Sequence, residues 1–71
     1  MTDTRIAFIG LGLIGGSIAR GLKRFDPHIT IMAYARSREK LEHARQEGTI
    51  DVILSGIGEE LRSCHMVFLC T

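Results

Sequence analysis

Arg5-Ile6-Ala7-Phe8-Ile9-Gly10-Leu11-Gly12-Leu13-Ile14-Gly15 is the stretch that decides the fold. Its first five residues form a short, almost wholly apolar run, which suits a strand buried on both faces of a parallel sheet. Gly10, Gly12 and Gly15 follow with G-x-G-x-x-G spacing. Beyond them Ile14, Ile18, Leu22 and Phe25 recur at helical spacing, with Arg20, Lys23 and Arg24 off that stripe. The motif therefore joins a predicted strand to a predicted helix, the context in which such glycines cradle a dinucleotide pyrophosphate. Gly10 permits the turn, Gly12 lets the backbone approach the ligand, and Gly15 lets the helix lie close to the sheet. Gly21, inside the helix, is expected to pack closely against a neighbouring strand.

Asp26-Pro27 ends this helix, because proline lacks a donor and restricts the residue before it. Ile29 to Tyr34 reads as a second strand. Ser37 is a plausible N-cap for a helix from Arg38 to about Glu47, and Gly48 is its C-terminal stop. Ile50 to Leu54 reads as a third strand, Glu59 to Ser63 as a helical turn, and Met66 to Cys70 as a fourth strand. The β-α-β-α-β-α-β order with short connections predicts an α/β, Rossmann-type parallel sheet with strand order 3-2-1-4, the first half of the doubly wound fold.

Seventy-one residues make one small domain at most. With 45% hydrophobic and 24% charged residues the chain reads as folded rather than disordered. The net charge of +1 gives no reason to expect nucleic acid or an acidic membrane as partner. That charge is unevenly spread. Residues 1–45 hold eight Lys/Arg against four acids (+4), and residues 46–71 hold one against four (−3). The basic half is also the glycine-rich half, which suits a small anion. Cys64 and Cys70 are too few for a disulfide framework and fit a reduced, cytoplasmic setting. Ile6 to Ala19 superficially resembles a signal-peptide core, but it is too short to span a bilayer and Asp3 offsets Arg5.

The end of the second strand speaks to the cofactor. NAD sites place an acid there, on the ribose 2′-hydroxyl. Here the sequence is Tyr34-Ala35-Arg36-Ser37-Arg38, and no acid occurs between Asp26 and Glu39. Arg36 and Arg38 can pair with a 2′-phosphate, and Ser37 can donate to it. NADP is therefore favoured over NAD. Cations at a helix start also oppose the helix dipole, a conflict that a bound anion would resolve.

Ile6-Ala-Phe-Ile-Gly-Leu-Gly-Leu-Ile-Gly-Gly-Ser17 resembles the start of the prephenate/arogenate dehydrogenases, NAD(P)-dependent enzymes of tyrosine synthesis. The resemblance continues through Tyr34 to Ser37, Gly48 to Asp51 and Met66 to Thr71, and so covers nearly the whole chain. It implies oxidative decarboxylation of prephenate to 4-hydroxyphenylpyruvate, or of arogenate to tyrosine. It also implies a Rossmann domain followed by a helical dimerisation domain, with residues 1–71 forming the N-terminal part of the first. By resemblance, Gly10, Gly12, Leu13, Ile14 and Gly15 lie along the pyrophosphate. Arg36, Ser37 and Arg38 lie by the adenosine ribose, and Cys70 and Thr71 approach the cofactor. Ala35 departs from the family's usual Asp, which again favours NADP.

None of His28, His43 and His65 matches the family's catalytic histidine, so no catalytic residue and no metal ligand is assigned. The chain alone is expected to be inactive, since small-molecule substrate binds only in the full-length enzyme. Its apolar last strand is expected to drive self-association. Two other readings fit the same glycines: a dehydrogenase or reductase of the β-hydroxyacid or pyrroline-carboxylate type, and a dinucleotide-sensing module without chemistry. A methyltransferase fits less well, because it usually places an acid where Ala35 stands.

Overall fold

A computed structural model describes residues 4–56 and 58–70. The elements are β1 (Arg5–Ile9), α1 (Gly12–Phe25), β2 (Thr30–Tyr34), α2 (Arg38–Glu47), β3 (Val52–Ile53), the 3₁₀ turn η1 (Glu59–Ser63) and β4 (Met66–Leu69). They form one four-stranded sheet in the order β3-β2-β1-β4. Every pairing is parallel: Ile6 lies opposite Ile31 and Met66, Phe8 opposite Ala33 and Phe68, and Met32 opposite Val52.

Alternation along the strands divides two cores. Ile6, Phe8, Ile31 and Ala33 face Ala19 of α1 with Leu41 and Ala44 of α2. Ala7, Met32 and Leu54 face the other way, towards Leu61 and Cys64 around η1. Both true helices thus cover one face, and a single turn covers part of the other. Phe8 is fully buried and stacks on Phe68 with ring centroids 5.0 Å apart. Burial pushes the Cys64 thiol above its ordinary range, and the nearby Arg5 charge pulls it partly back.

Several boundaries move for identifiable reasons. The buried side of α1 runs through Leu11, Ala19 and, in part, Ile18 and Leu22. Ile14 and Phe25, expected on that stripe, are instead 75% and 85% exposed. The helix starts at Gly12, and the small residues Gly15 and Ala19 share its contact surface with Ile18 and Leu22. Gly21 does not pack against a strand, because a Cβ there would meet nothing within 4 Å. It lies on the outer face beside Ser17, Arg20 and Arg24.

The third strand is shorter than the 50–54 stretch suggests. Ile50 N–H still bonds the Ala44 carbonyl, closing the end of α2 behind the left-handed Gly48. Asp51 then supplies two contacts to β2: its N–H donates to Ile31 O (2.8 Å), and its Oδ2 accepts from Ile31 N–H (2.8 Å). The carboxylate thus replaces a strand carbonyl at the start of β3, and Lys23 Nζ of α1 sits 2.6 Å from the same oxygen. His65 does the same job ahead of β4. Its N–H donates to Arg5 O (2.7 Å), and its Nδ1 accepts from Arg5 N–H (3.0 Å).

Candidate functional site

At the carboxyl end of the sheet, Gly10 leaves β1 with φ 81° and donates its N–H to Tyr34 O at 2.6 Å. That bond ties the exit of β1 to the last residue of β2. Gly12 opens α1 with φ 52°, a conformation that L side chains rarely adopt. The helix start that results has no side-chain cap and no acid in its first turn. Its first N–H groups, those of Leu13 and Ile14 among them, are therefore free to serve an anion, which the positive end of the helix dipole also favours.

Two clefts meet at this turn and share Leu11 and Gly12. One, of about 630 Å³, runs between α1 and the end of β4 and is walled by Ile14, Gly15, Ile18, Phe68 and Cys70. The other, of about 300 Å³, runs towards the end of β2 and is walled by Ala35, Lys40 and Leu41. Gly15 holds the first cleft in shape: a Cβ there would lie 3.3 Å from Cys70 Cβ and Sγ and 3.4 Å from the Gly10 carbonyl. Cys70 is fixed in turn by its N–H bond to Ile9 O (2.8 Å). A Cβ on Gly12, by contrast, would meet nothing within 4 Å. Bare backbone beside open space, at the junction of two clefts, fits a pyrophosphate flanked by its two nucleosides.

Beyond β2, Ala35 packs partly against the core and Arg36 is exposed. Ser37 caps α2, its Oγ accepting from Lys40 N–H at 3.3 Å. Arg38 reaches along the helix to Glu42, with Nε 3.6 Å from Oε2, and Glu39 adds an acid to the first turn. The cations at this helix start are thus offset by the chain's own acids, and the dipole conflict calls for no bound anion. The sequence-assigned residues Gly10, Gly12, Leu13, Ile14, Gly15 and Cys70 gather at one turn. Arg36, Ser37 and Arg38 stand across the smaller cleft, and Thr71 lies outside the described residues. Lys40, which motif reading passed over, lines that cleft; its helical position three after the cap was the available signal.

The histidines lie elsewhere. His65 is at the opposite end of β4, His43 faces Glu47 on α2 at 3.7 Å, and His28 N–H donates to Asp26 Oδ1. Among the described residues no cluster could hold a metal ion, and no helix is long and apolar enough to cross a membrane. A third groove, of about 440 Å³, is basic: Arg20, Lys23 and Arg24 line it with Glu47, Gly48 and Thr49. Lys23 is already committed there to Asp51 and to the Ile29 carbonyl (2.7 Å).

Known proteins align with this geometry. Residues 5–71 match the family described as NADP oxidoreductase, coenzyme F420-dependent. The chain is 38% identical over 65 residues to cyclohexadienyl dehydrogenase of Zymomonas mobilis subsp. mobilis, covering 92% of this chain and 22% of that protein. It superimposes with a TM-score of 0.83 and 29% identity on the crystal structure of Synechocystis arogenate dehydrogenase, covering 96% of this chain and 23% of that one. The chain therefore spans under a quarter of the length of either relative.

Proposed function

Because the chain belongs to the NADP oxidoreductase, coenzyme F420-dependent, family and is similar within it to dehydrogenases of the prephenate/arogenate type, we propose that it is the dinucleotide-binding N-terminal part of such a dehydrogenase. The whole enzyme would oxidatively decarboxylate prephenate to 4-hydroxyphenylpyruvate, or arogenate to tyrosine, in the cytoplasm. The observation that carries this reading is the uncapped start of α1 at Gly12, where the two clefts join. When bound, the nicotinamide accepts the hydride. The chain's own part is to hold and orient the cofactor. The backbone of Gly10, Gly12, Leu13, Ile14 and Gly15 serves the pyrophosphate, and Cys70 borders the nicotinamide side. Arg36, Ser37 and Arg38 serve the ribose, with NADP preferred to NAD because no carboxylate stands at Ala35 to repel a 2′-phosphate. Among the described residues no histidine lines either cleft, and binding without turnover is expected of these 71 residues.

Calorimetric titration tests this reading. The chain should bind NADP about tenfold more tightly than NAD, and Arg36→Ala combined with Arg38→Ala should remove most of that difference. Both arginines are exposed, so solvent reduces each charge-assisted contact well below about 1.5–3 kcal/mol, and the two together supply the tenfold difference of about 1.4 kcal/mol. Equal affinities for the two cofactors in the unmutated chain would contradict the preference.

The outer edge of β4 completes the proposal. Among the described residues it pairs only with β1, and Met66, Val67 and Leu69 are exposed along it, Leu69 by 77%. An apolar edge with open backbone groups is a template for pairing with another chain, and a second copy of this one is the expected occupant. Sedimentation should show concentration-dependent association of the 71 residues. A single monomeric species at high micromolar concentration, with a cooperative melt, would contradict it.

A further inference from the structure

We infer that the basic groove between the second half of α1 and the end of α2 is a phosphate site, separate from the dinucleotide clefts and independent of the reading given to them. Three cations line it, and they are not equally committed. Lys23 is held by Asp51 and by the Ile29 carbonyl. No ion pair among the described residues engages Arg20 or Arg24. Arg24 stands in the last turn of α1, where a cation complements the helix dipole. Arg20 stands a turn earlier, and the dipole does not account for it.

Thr49 adds an observation of a different kind. Gly48 N–H donates to Arg45 O (3.1 Å) and Thr49 N–H to Ala44 O (2.9 Å), a helix ending in which the residue at position 49 is commonly apolar. Thr49 is 4% exposed, a setting that valine would suit, yet it carries a hydroxyl. That hydroxyl has no hydrogen-bond partner among the described residues. Among those residues, too, no unpartnered polar side-chain atom is sealed from solvent, so Thr49 Oγ1 opens onto the groove that its residue lines. A hydroxyl donor set deep beside two guanidinium groups suits an oxyanion better than diffuse positive charge would. Glu47 is the acid on the lining. A hydrogen phosphate can donate its P–OH to that carboxylate, whereas sulfate has no proton to offer at neutral pH.

Amide NMR titrations with inorganic phosphate at neutral pH, with ionic strength held constant by sodium chloride, test the site. Shifts at Arg20, Arg24, Gly48 and Thr49 should saturate in the millimolar range, and sulfate should bind several-fold more weakly. Arg20→Gln and Arg24→Gln should each weaken phosphate about fivefold, and Thr49→Val about threefold with the rest of the spectrum unchanged. Arg62→Gln removes the same charge from η1, on the other face of the sheet, and should change the affinity by less than about twofold. Shifts that do not saturate, or a Thr49→Val chain that binds as tightly as the unmutated one, overturn the site. Sulfate binding as tight as that of phosphate overturns the assignment of its ligand. Saturable shifts confined to Gly10 to Gly15 overturn the groove and leave the dinucleotide reading standing.

Discussion

Gly12→Ala is expected to lower dinucleotide affinity about 100-fold while leaving the chain folded. The two effects separate because of where the new methyl goes. No protein atom lies within 4 Å of a Cβ at Gly12, so the fold loses only the backbone preference at φ 52°. That strain costs about 1–2 kcal/mol. The methyl instead fills the junction of the two clefts and holds the pyrophosphate off the first N–H groups of α1. Losing two charge-assisted bonds at the low end of their range, near 1.5 kcal/mol each, corresponds to about two decades in affinity. Gly15→Ala should behave in the opposite way. Its Cβ meets Cys70 and the Gly10 carbonyl at 3.3–3.4 Å, and such overpacking costs about 1–3 kcal/mol in the fold itself. Calorimetry with NADP and urea unfolding, run on both variants, check the pair. Unchanged NADP affinity in a folded Gly12→Ala chain would show that the pyrophosphate does not lie there.

Asp51→Ala is expected to remove about 2–3 kcal/mol of stability, roughly half of what one core of this size supplies. One carboxylate oxygen holds three elements: the Ile31 N–H of β2, the Lys23 ammonium of α1 and the start of β3. Truncation leaves a part-buried N–H without its acceptor and a mostly buried ammonium without its counter-charge. Bonds to charged groups contribute about 1.5–3 kcal/mol, and the ion-pair share is reduced because the carboxylate is 40% exposed. Asp51→Asn keeps an acceptor for Ile31 and loses the charge, so it should cost about half as much. The urea midpoints of the two variants give the comparison. A change below about 0.5 kcal/mol for Asp51→Ala would show that the contact is only a surface ion pair.

The contrast between Gly12 and Asp51 shows what the sequence could disclose. Strand β1, the glycine turn, the Ser37 cap and the Gly48 stop are local: each is announced by residues within a few positions of where it acts. The strand order followed from short crossovers, and the sheet has that order. Asp51 and His65 act across 20 and 60 residues, as side-chain substitutes for strand carbonyls, and no local pattern marks a residue for that work. On α1, Ile18 and Leu22 pack against the core as expected, but Ile14 and Phe25 were misread for another reason. Large apolar residues dominate any periodicity, whereas part of the helix's inner surface is made by the small residues Gly15 and Ala19. Ile14 is thereby left in the cleft and Phe25 in solvent. At the cofactor site the glycines were legible because backbone geometry demands them. That Arg38 turns along α2 to Glu42 while Lys40 lines the smaller cleft was not, since both depend on how α2 sits against the glycine turn.

The most direct measurement is an amide NMR titration of the unmutated chain with NADP. The largest shifts should fall on Gly10 to Gly15, on Ala35 to Leu41 and on Cys70, tracing one path across both clefts. Largest shifts at Arg20, Arg24, Gly48 and Thr49, around the basic groove at the other end of α1, would place the anion elsewhere and contradict the site.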